Sequence, residues 1–224
     1  MDFASKEEEL EEAARKELDD RGFDGKAMQE SVGKMLHDTF HAPLPDGVGG
    51  TLELWRDIDP ARKRSEFGFL CEFDGSFSSS ELFDEVREYF TRKTGCSQVL
   101  PLAFDKSFSQ GFFNGAIDLF FEYGNRYYIV DWKTNVLKSY SRNALAEVMG
   151  KKGYCLQYLI YTAALFKYLK RRLGVAPEDE EAFYNERFGG VLYLFVRGMD
   201  RPGCGVFDDK PSYDICKKME GFIG

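Results

Sequence analysis

The stretch Gly115 to Lys133, G-A-I-D-L-F-F-E-Y-G-N-R-Y-Y-I-V-D-W-K, constrains the fold more than any other part of the chain. It reads as two strands joined by Gly124-Asn125, a two-residue hairpin signal between runs of Ile, Leu, Phe, Tyr and Val. In such a hairpin Tyr123 faces Arg126, so opposed residues have numbers that sum to 249. Asp118 and Asp131 satisfy that sum, and without a bulge they stand directly opposite on one face. Lys133, two residues beyond Asp131, points to the same face. Directly opposed side chains have Cβ atoms roughly 5 Å apart, and like charges there are destabilising. A divalent cation held between the carboxylates converts that repulsion into coordination. The apolar residues flanking both acids predict strands buried on both faces rather than an exposed hairpin.

Around this hairpin the pattern predicts helices over residues 5–20, where Ser5 to Glu8 form a capping box and Gly22 a stop, and over 26–40. Residues 42–61 read as loop with a short helix near 52–55, and residues 66–73 alternate as a strand. Ser78 to Glu81 caps a helix running to Lys93, and residues 96–110 are irregular. Ser141 starts a short helix to Gly150. Residues 153–173 form the longest helix, apolar over most of its surface, with a basic last turn and Gly174 as its stop. Residues 177–181 read as an acidic surface loop, 190–196 as the clearest buried strand, and 212–222 as a terminal helix. The fold class is α/β, a mixed central sheet flanked by helices.

Composition narrows the class. The 224 residues suffice for one sizeable domain, and 43% hydrophobic with 30% charged residues is ordinary for a globular chain. Five scattered cysteines, none in C-x-x-C, suit reduced thiols better than a disulfide framework or a zinc site. The absence of a signal-like apolar run or a membrane-length segment leads to the expectation of a cytoplasmic protein with no membrane partner. The net charge is −8, but nine acids and three bases in residues 1–20 supply −6 of it. The body is near neutral, so charge neither supports nor excludes a nucleic-acid partner.

Three other polar residues sit in apolar helices. Gly33 and His37 are four apart on one helical face, the glycine leaving room above the imidazole; alone, this histidine reads as structural. Gln157 and Tyr161 share a face of the long helix, where the glutamine is either a satisfied core group or a ligand contact. Together with the hairpin, these residues resemble the PD-(D/E)XK nuclease superfamily. The blocks N-G-A-I-D-L-F-F-E-Y-G-N-R-Y-Y-I-V-D-W-K-T-N, Y-C-L-Q-Y-L-I-Y-T-A-A-L-F-K-Y-L-K-R-R and F-G-G-V-L-Y-L-F-V-R-G, preceded by G-x-x-x-H, resemble the RecB-like nuclease domain in order and spacing over about residues 30–200.

That resemblance implies a PD-(D/E)XK restriction-endonuclease-like core over residues 25–224, as a single RecB-like nuclease domain, behind an acidic linker-like helix over 1–24. It implies metal ligands His37, Asp118, Asp131 and the backbone carbonyl of Trp132, catalytic roles for Asp118, Asp131 and Lys133, and DNA contacts from Gln157 and Tyr161. Oxygen donors with one imidazole fit Mg²⁺, with Mn²⁺ as substitute, better than zinc. His41 has no counterpart in the block and reads as a surface residue. Of the family's R-E-x-E-F-like run only Glu66-Phe67 is kept. Cys204 and Cys216 are too few for an iron–sulfur cluster, and no G-x-x-x-x-G-K-[ST] provides an ATP site. The implied function is Mg²⁺-dependent hydrolysis of DNA, mainly single-stranded, both exo- and endonucleolytic. The implied partners are DNA, a RecB-type helicase portion and RecC/RecD-like subunits. The rival reading is a non-catalytic module that binds DNA or a subunit on the same fold.

Overall fold

The computed structural model describes residues 7–72, 79–99, 108–109 and 112–223. The capping positions Ser5 and Ser78 lie outside the described residues, as does most of the stretch 100–111.

The chain opens with a helical pair, α1 (Glu7–Asp20) and α2 (Gly25–His41). Asp24 caps α2 by accepting the Ala27 N–H at 2.9 Å, and Asp19 accepts the Gly25 N–H at 2.9 Å. Leu10 of α1 is buried in a core shared with Phe40 of α2. Gly33 serves this packing: a Cβ there would come within 3.0 Å of Glu11 Oε1. The room expected above the His37 imidazole is therefore taken by α1.

A small hairpin follows, β1 (Leu44–Pro45) with β2 (Thr51–Leu52), and then α3 (Leu54–Asp57) and β3 (Lys63–Glu72). Next come α4 (Ser79–Thr94), β4 (Phe108–Ser109), β5 (Phe112–Tyr123) and β6 (Arg126–Lys133). Helices α5 (Arg142–Lys151), α6 (Tyr154–Leu173) and α7 (Glu180–Arg187) lead to β7 (Phe188–Phe195), β8 (Val206–Asp209) and α8 (Tyr213–Phe222). The sheet order is β3-β5-β6-β7-β8, with β4 also on β5. Strands β6 and β7 are parallel, and the other neighbours are antiparallel.

The sheet separates two cores. On one face Ile129, Val191, Tyr193 and Phe195 meet α4, α5, α6 and α8. On the other, Val130, Leu192 and Leu194 meet α1, α2 and α3. This double burial explains the continuous apolar runs of β6 and β7. It is the mixed sheet flanked by helices expected from the sequence, and it is consistent with a PD-(D/E)XK core.

Three expectations are corrected. Residues 177–181 are not a loop: Pro177 starts a 3₁₀ turn and Glu180 opens α7. Glu180 sits 2.8 Å from Lys170 and 2.7 Å from Lys217, so these acids begin a helix docked on α6 and α8. The stretch after Arg197 contains β8, which was not anticipated because V-F-D-D carries two acids. Ser141 stands at the N-cap of α5 but makes no side-chain capping bond.

Gly189 marks a bulge where the β6–β7 register shifts between Tyr127 and Tyr128. A Cβ on Gly189 would lie 2.3 Å from the ring of Tyr128, which is fully buried and stacked on Phe121. Gly189→Ala is expected to cost about 1–3 kcal/mol by overpacking. Gly221→Ala, with nothing within 4 Å of its Cβ, should be neutral or slightly stabilising. Thermal denaturation of the two variants checks this, and an unchanged melting temperature for Gly189→Ala would contradict the packing.

Candidate metal and catalytic centre

The hairpin turn is built as its residues dictate. Gly124 and Asn125 have φ of 54° and 64°, the left-handed pair of a type I′ turn. The predicted register holds from Tyr123↔Arg126 to Leu119↔Val130. It ends there, one residue short of the aspartates. Asp118 Oδ2 instead accepts the backbone N–H of Trp132 at 2.9 Å. Ile117 belongs to the α6-side core and Leu119 to the α2-side core, so the two-residue period of β5 breaks at Asp118. The expectation of an unbroken ladder pair is thus not met, although both acids lie where the hairpin opens.

Asp131 is 2% exposed, and Lys133 Nζ lies 2.5 Å from its Oδ2. That ammonium is off the line of a well-formed hydrogen bond, which leaves the buried oxygen without an aligned donor. Burial pushes the Asp131 carboxyl up to about 6; Lys133 pulls it down and Asp118 pushes it further up. Lys133 donates to Gln157 Oε1 at 3.1 Å and lies over the rings of Tyr154, at 4.0 Å, and Tyr193, at 5.0 Å. Gln157 in turn donates from Nε2 to the Tyr161 hydroxyl at 2.9 Å and accepts from the Tyr193 hydroxyl at 3.1 Å. Burial first, and then Asp131, push the Tyr161 phenol well up, so it stays protonated.

The structure therefore brings Asp131, Lys133, Gln157 and Tyr161 into one connected cluster, with Asp118 beside it. It places His37 differently. His37 is 56% exposed, its ring centroid lies 4.5 Å from that of His41, and it lines a cleft of about 210 Å³ facing residues 199–206. Among the described residues no three His, Cys, Asp or Glu side chains gather as a metal cage. His41 is no plain surface residue: its Nδ1 is 2.8 Å from Glu53 Oε1 and its ring lies against Trp55. Trp132 turns its side chain to the α2 layer, against Phe40.

Sequence reasoning missed Tyr154 and Tyr193. Tyr154 could have been found three residues before Gln157, on the same helical face. Tyr193 is a lone hydroxyl in an otherwise aliphatic and aromatic strand, a residue that needs a partner when buried. Glu66 also stands beside this cluster. It has φ +50, it stands across from Asp118 between the pairs Ser65↔Leu119 and Phe67↔Ile117, and its charge reaches Tyr161.

Comparison with known proteins bears on this geometry. No family model matches the chain. The RecBCD enzyme subunit RecB of Haemophilus influenzae is 36% identical over 200 residues, 86% of this chain. The RecB subunit of Escherichia coli is 31% identical over 212 residues, 92% of the chain. The chain is a RecB-type region. A third RecB subunit, from Mycolicibacterium smegmatis, is 36% identical over 211 residues and 79% of the chain. The RecB-type region spans only 15%, 17% and 17% of these three subunits' own lengths. Among its described residues no helix is long and apolar enough to cross a membrane.

The buried Asp131 yields a prediction for the metal-free protein. An unfolded aspartate loses its proton near pH 4, whereas the folded one holds it to about pH 6. Between those values the native state binds more protons, so stability falls as pH rises. Above pH 6 the penalty is complete. In chelator at pH 7.5, Asp131→Asn is therefore expected to be more stable than the wild type, by on the order of 2–3 kcal/mol. The gain should vanish below about pH 4. Urea denaturation at the two pH values measures it, and a less stable Asp131→Asn at pH 7.5 would count against this electrostatics.

Proposed function

We propose that this RecB-type region is a metal-dependent DNA nuclease, the phosphodiester-hydrolysing part of a RecBCD-type helicase–nuclease of DNA repair and recombination. The observation that carries the reading is a deeply buried carboxylate, Asp131, set against a second carboxylate, Asp118, with Lys133 on the same corner. The Asp131 oxygen that lacks an aligned donor fits a cation. Asp118, Asp131 and the Trp132 carbonyl would hold Mg²⁺, or Mn²⁺ in its place, with His37 as the fourth ligand implied by the family pattern. Such a cation would supply polarisation of the phosphate and acidification of the attacking water.

The rest falls to the chain's own residues. Lys133 carries the charge that balances developing negative charge on the phosphate, and its Nζ is held by Gln157 and the two tyrosine rings. Gln157 fixes that position because both ends of its amide are engaged. Tyr161 has its oxygen engaged by Gln157 and keeps its own proton, so it acts as a neutral donor toward a DNA phosphate. Single-stranded DNA is the favoured substrate, cut both from ends and internally. A RecB-type helicase portion and RecC/RecD-like subunits would deliver it, a reading supported by the relatives' description as RecBCD enzyme subunits.

The test is incubation with linear and circular single-stranded DNA, with Mg²⁺ and with chelator. Cleavage of both substrates is expected with Mg²⁺ and none with chelator. Asp131→Ala should lower the rate by at least about 100-fold. If Asp131→Ala cut DNA as fast as the wild type, the reading would fail. Wild-type binding without cleavage would favour the non-catalytic module. His37→Ala should raise the Mg²⁺ concentration for half-maximal cleavage by about tenfold. An unchanged metal requirement would remove His37 from the ligand set.

A further inference from the structure

Beyond the catalytic corner, α6 continues as one stripe. Gln157, Tyr161, Ala164, Tyr168 and Arg171 follow at intervals of four and three, which keeps them on one helical face over about 21 Å. Strand β3, the outer strand of the sheet order, lies along this stripe. The Phe69 ring meets Tyr161 edge-on at 5.6 Å, and Phe67 lies 4.8 Å from Tyr168. Between strand and helix runs an open groove of about 570 Å³, lined by Phe67, Phe69, Lys167, Tyr168, Arg171 and Arg172 among others. Leu70 at its edge is 67% exposed.

Of the four cations of α6, Lys170 is paired, with Glu180 and Glu220 at 2.8 and 2.9 Å. Lys167, Arg171 and Arg172 form no ion pair with any described carboxylate. In a chain of net charge −8, three uncompensated cations beside aromatic faces match a polyanion that carries planar unpaired bases. A duplex keeps its bases stacked internally and would leave those faces unused.

We infer that the β3–α6 groove is a track for single-stranded DNA that ends at the Phe69–Tyr161 contact, beside the Asp118–Asp131 corner. Lys167, Arg171 and Arg172 take phosphates, and Tyr168 offers a stacking face to bases. This rests on the nuclease reading for its direction, but the binding it asserts is measurable without cleavage.

The experiment uses the 224-residue chain, labelled oligo-dT, chelator to prevent cleavage, and fluorescence anisotropy across a salt series. Both arginines are exposed on the last turn of α6, so Arg171→Ala/Arg172→Ala should fold normally by circular dichroism. The double variant is expected to bind about tenfold more weakly near 0.1 M salt, with a log–log salt slope smaller by about 1.4. Lys167→Ala should lower the slope by about 0.7. With Mg²⁺, the double variant should cleave a thymidine p-nitrophenyl phosphodiester, too short to reach the groove, at the wild-type rate, while its KM for oligo-dT rises. Equal affinity and equal slope for variant and wild type overturn the track. If that result came with Mg²⁺-dependent cleavage, the nuclease reading would survive without it. Arginine-dependent binding by a protein that never cleaves would keep the track and remove the nuclease. Unchanged DNA binding with weaker association with a RecC-like subunit would assign the groove to protein docking, and equal losses on duplex and single strand would overturn the stacking role.

Discussion

The pairing of Asp131 with Lys133 is the interaction on which the site depends. Strand β6 lies between β5 and β7 and is covered on both faces, so a carboxylate on it is removed from water. Such a group stays charged only with a countercharge, and the nearest place for one is two residues on, on the same face of the same strand. The lysine must itself be held, and α6 does that with Gln157 and Tyr154 while β7 contributes Tyr193. This accounts for a glutamine among the otherwise apolar and aromatic first turns of that helix.

A second buried aspartate shows what distinguishes the first. Asp209 is 4% exposed and lies 2.8 Å from Lys93, also without an aligned bond on that oxygen. Its other oxygen accepts the hydroxyls of Tyr89, at 2.7 Å, and Tyr158, at 3.0 Å, which ties α4 and α6 to β8. An off-line lysine therefore does not by itself mark a reactive carboxylate. Asp131 differs in having a like-charged neighbour that raises its proton affinity, where Asp209 has two neutral donors. The first arrangement is under electrostatic stress that a cation would relieve, and the second resembles a satisfied structural network.

What was legible in the sequence was local. The Gly-Asn turn, the strand pairing from Tyr123↔Arg126 to Leu119↔Val130 and the helical spacing of Gln157 and Tyr161 each depend on a few neighbouring residues, and all three are realised. What was not legible depended on distant partners. Helix α7 hides in an acidic stretch because its first acid, Glu180, is neutralised by lysines of α6 and α8. Strand β8 hides because its buried acid is satisfied by tyrosines from α4 and α6. The use of Gly33 was misread because the close neighbour is Glu11 of α1, and nothing on α2 alone reports that contact. The resemblance to a nuclease family supplied roles for residues, such as His37, that spacing alone left structural.

The register argument failed at the one position where failure is informative. Asp118 sits where β5 is irregular toward both neighbours. Toward β6 the ladder has ended, and the carboxylate itself takes the Trp132 amide that a strand carbonyl would otherwise accept. Toward β3 the residue opposite is Glu66, a non-glycine residue at φ +50, and the ladder pairs resume only on either side of it. Left-handed backbone at such a residue costs on the order of 1–3 kcal/mol and persists only where the surroundings enforce it. A regular sheet would direct Asp118 and Leu119 to opposite faces and Ile117 to Leu119's face. Here Ile117 has crossed to the α6 side, so the strand turns at Asp118. A regular strand would have fixed the acid by its ladder alone; this one leaves its aim to its own bond with the Trp132 amide, opposite a strained neighbour.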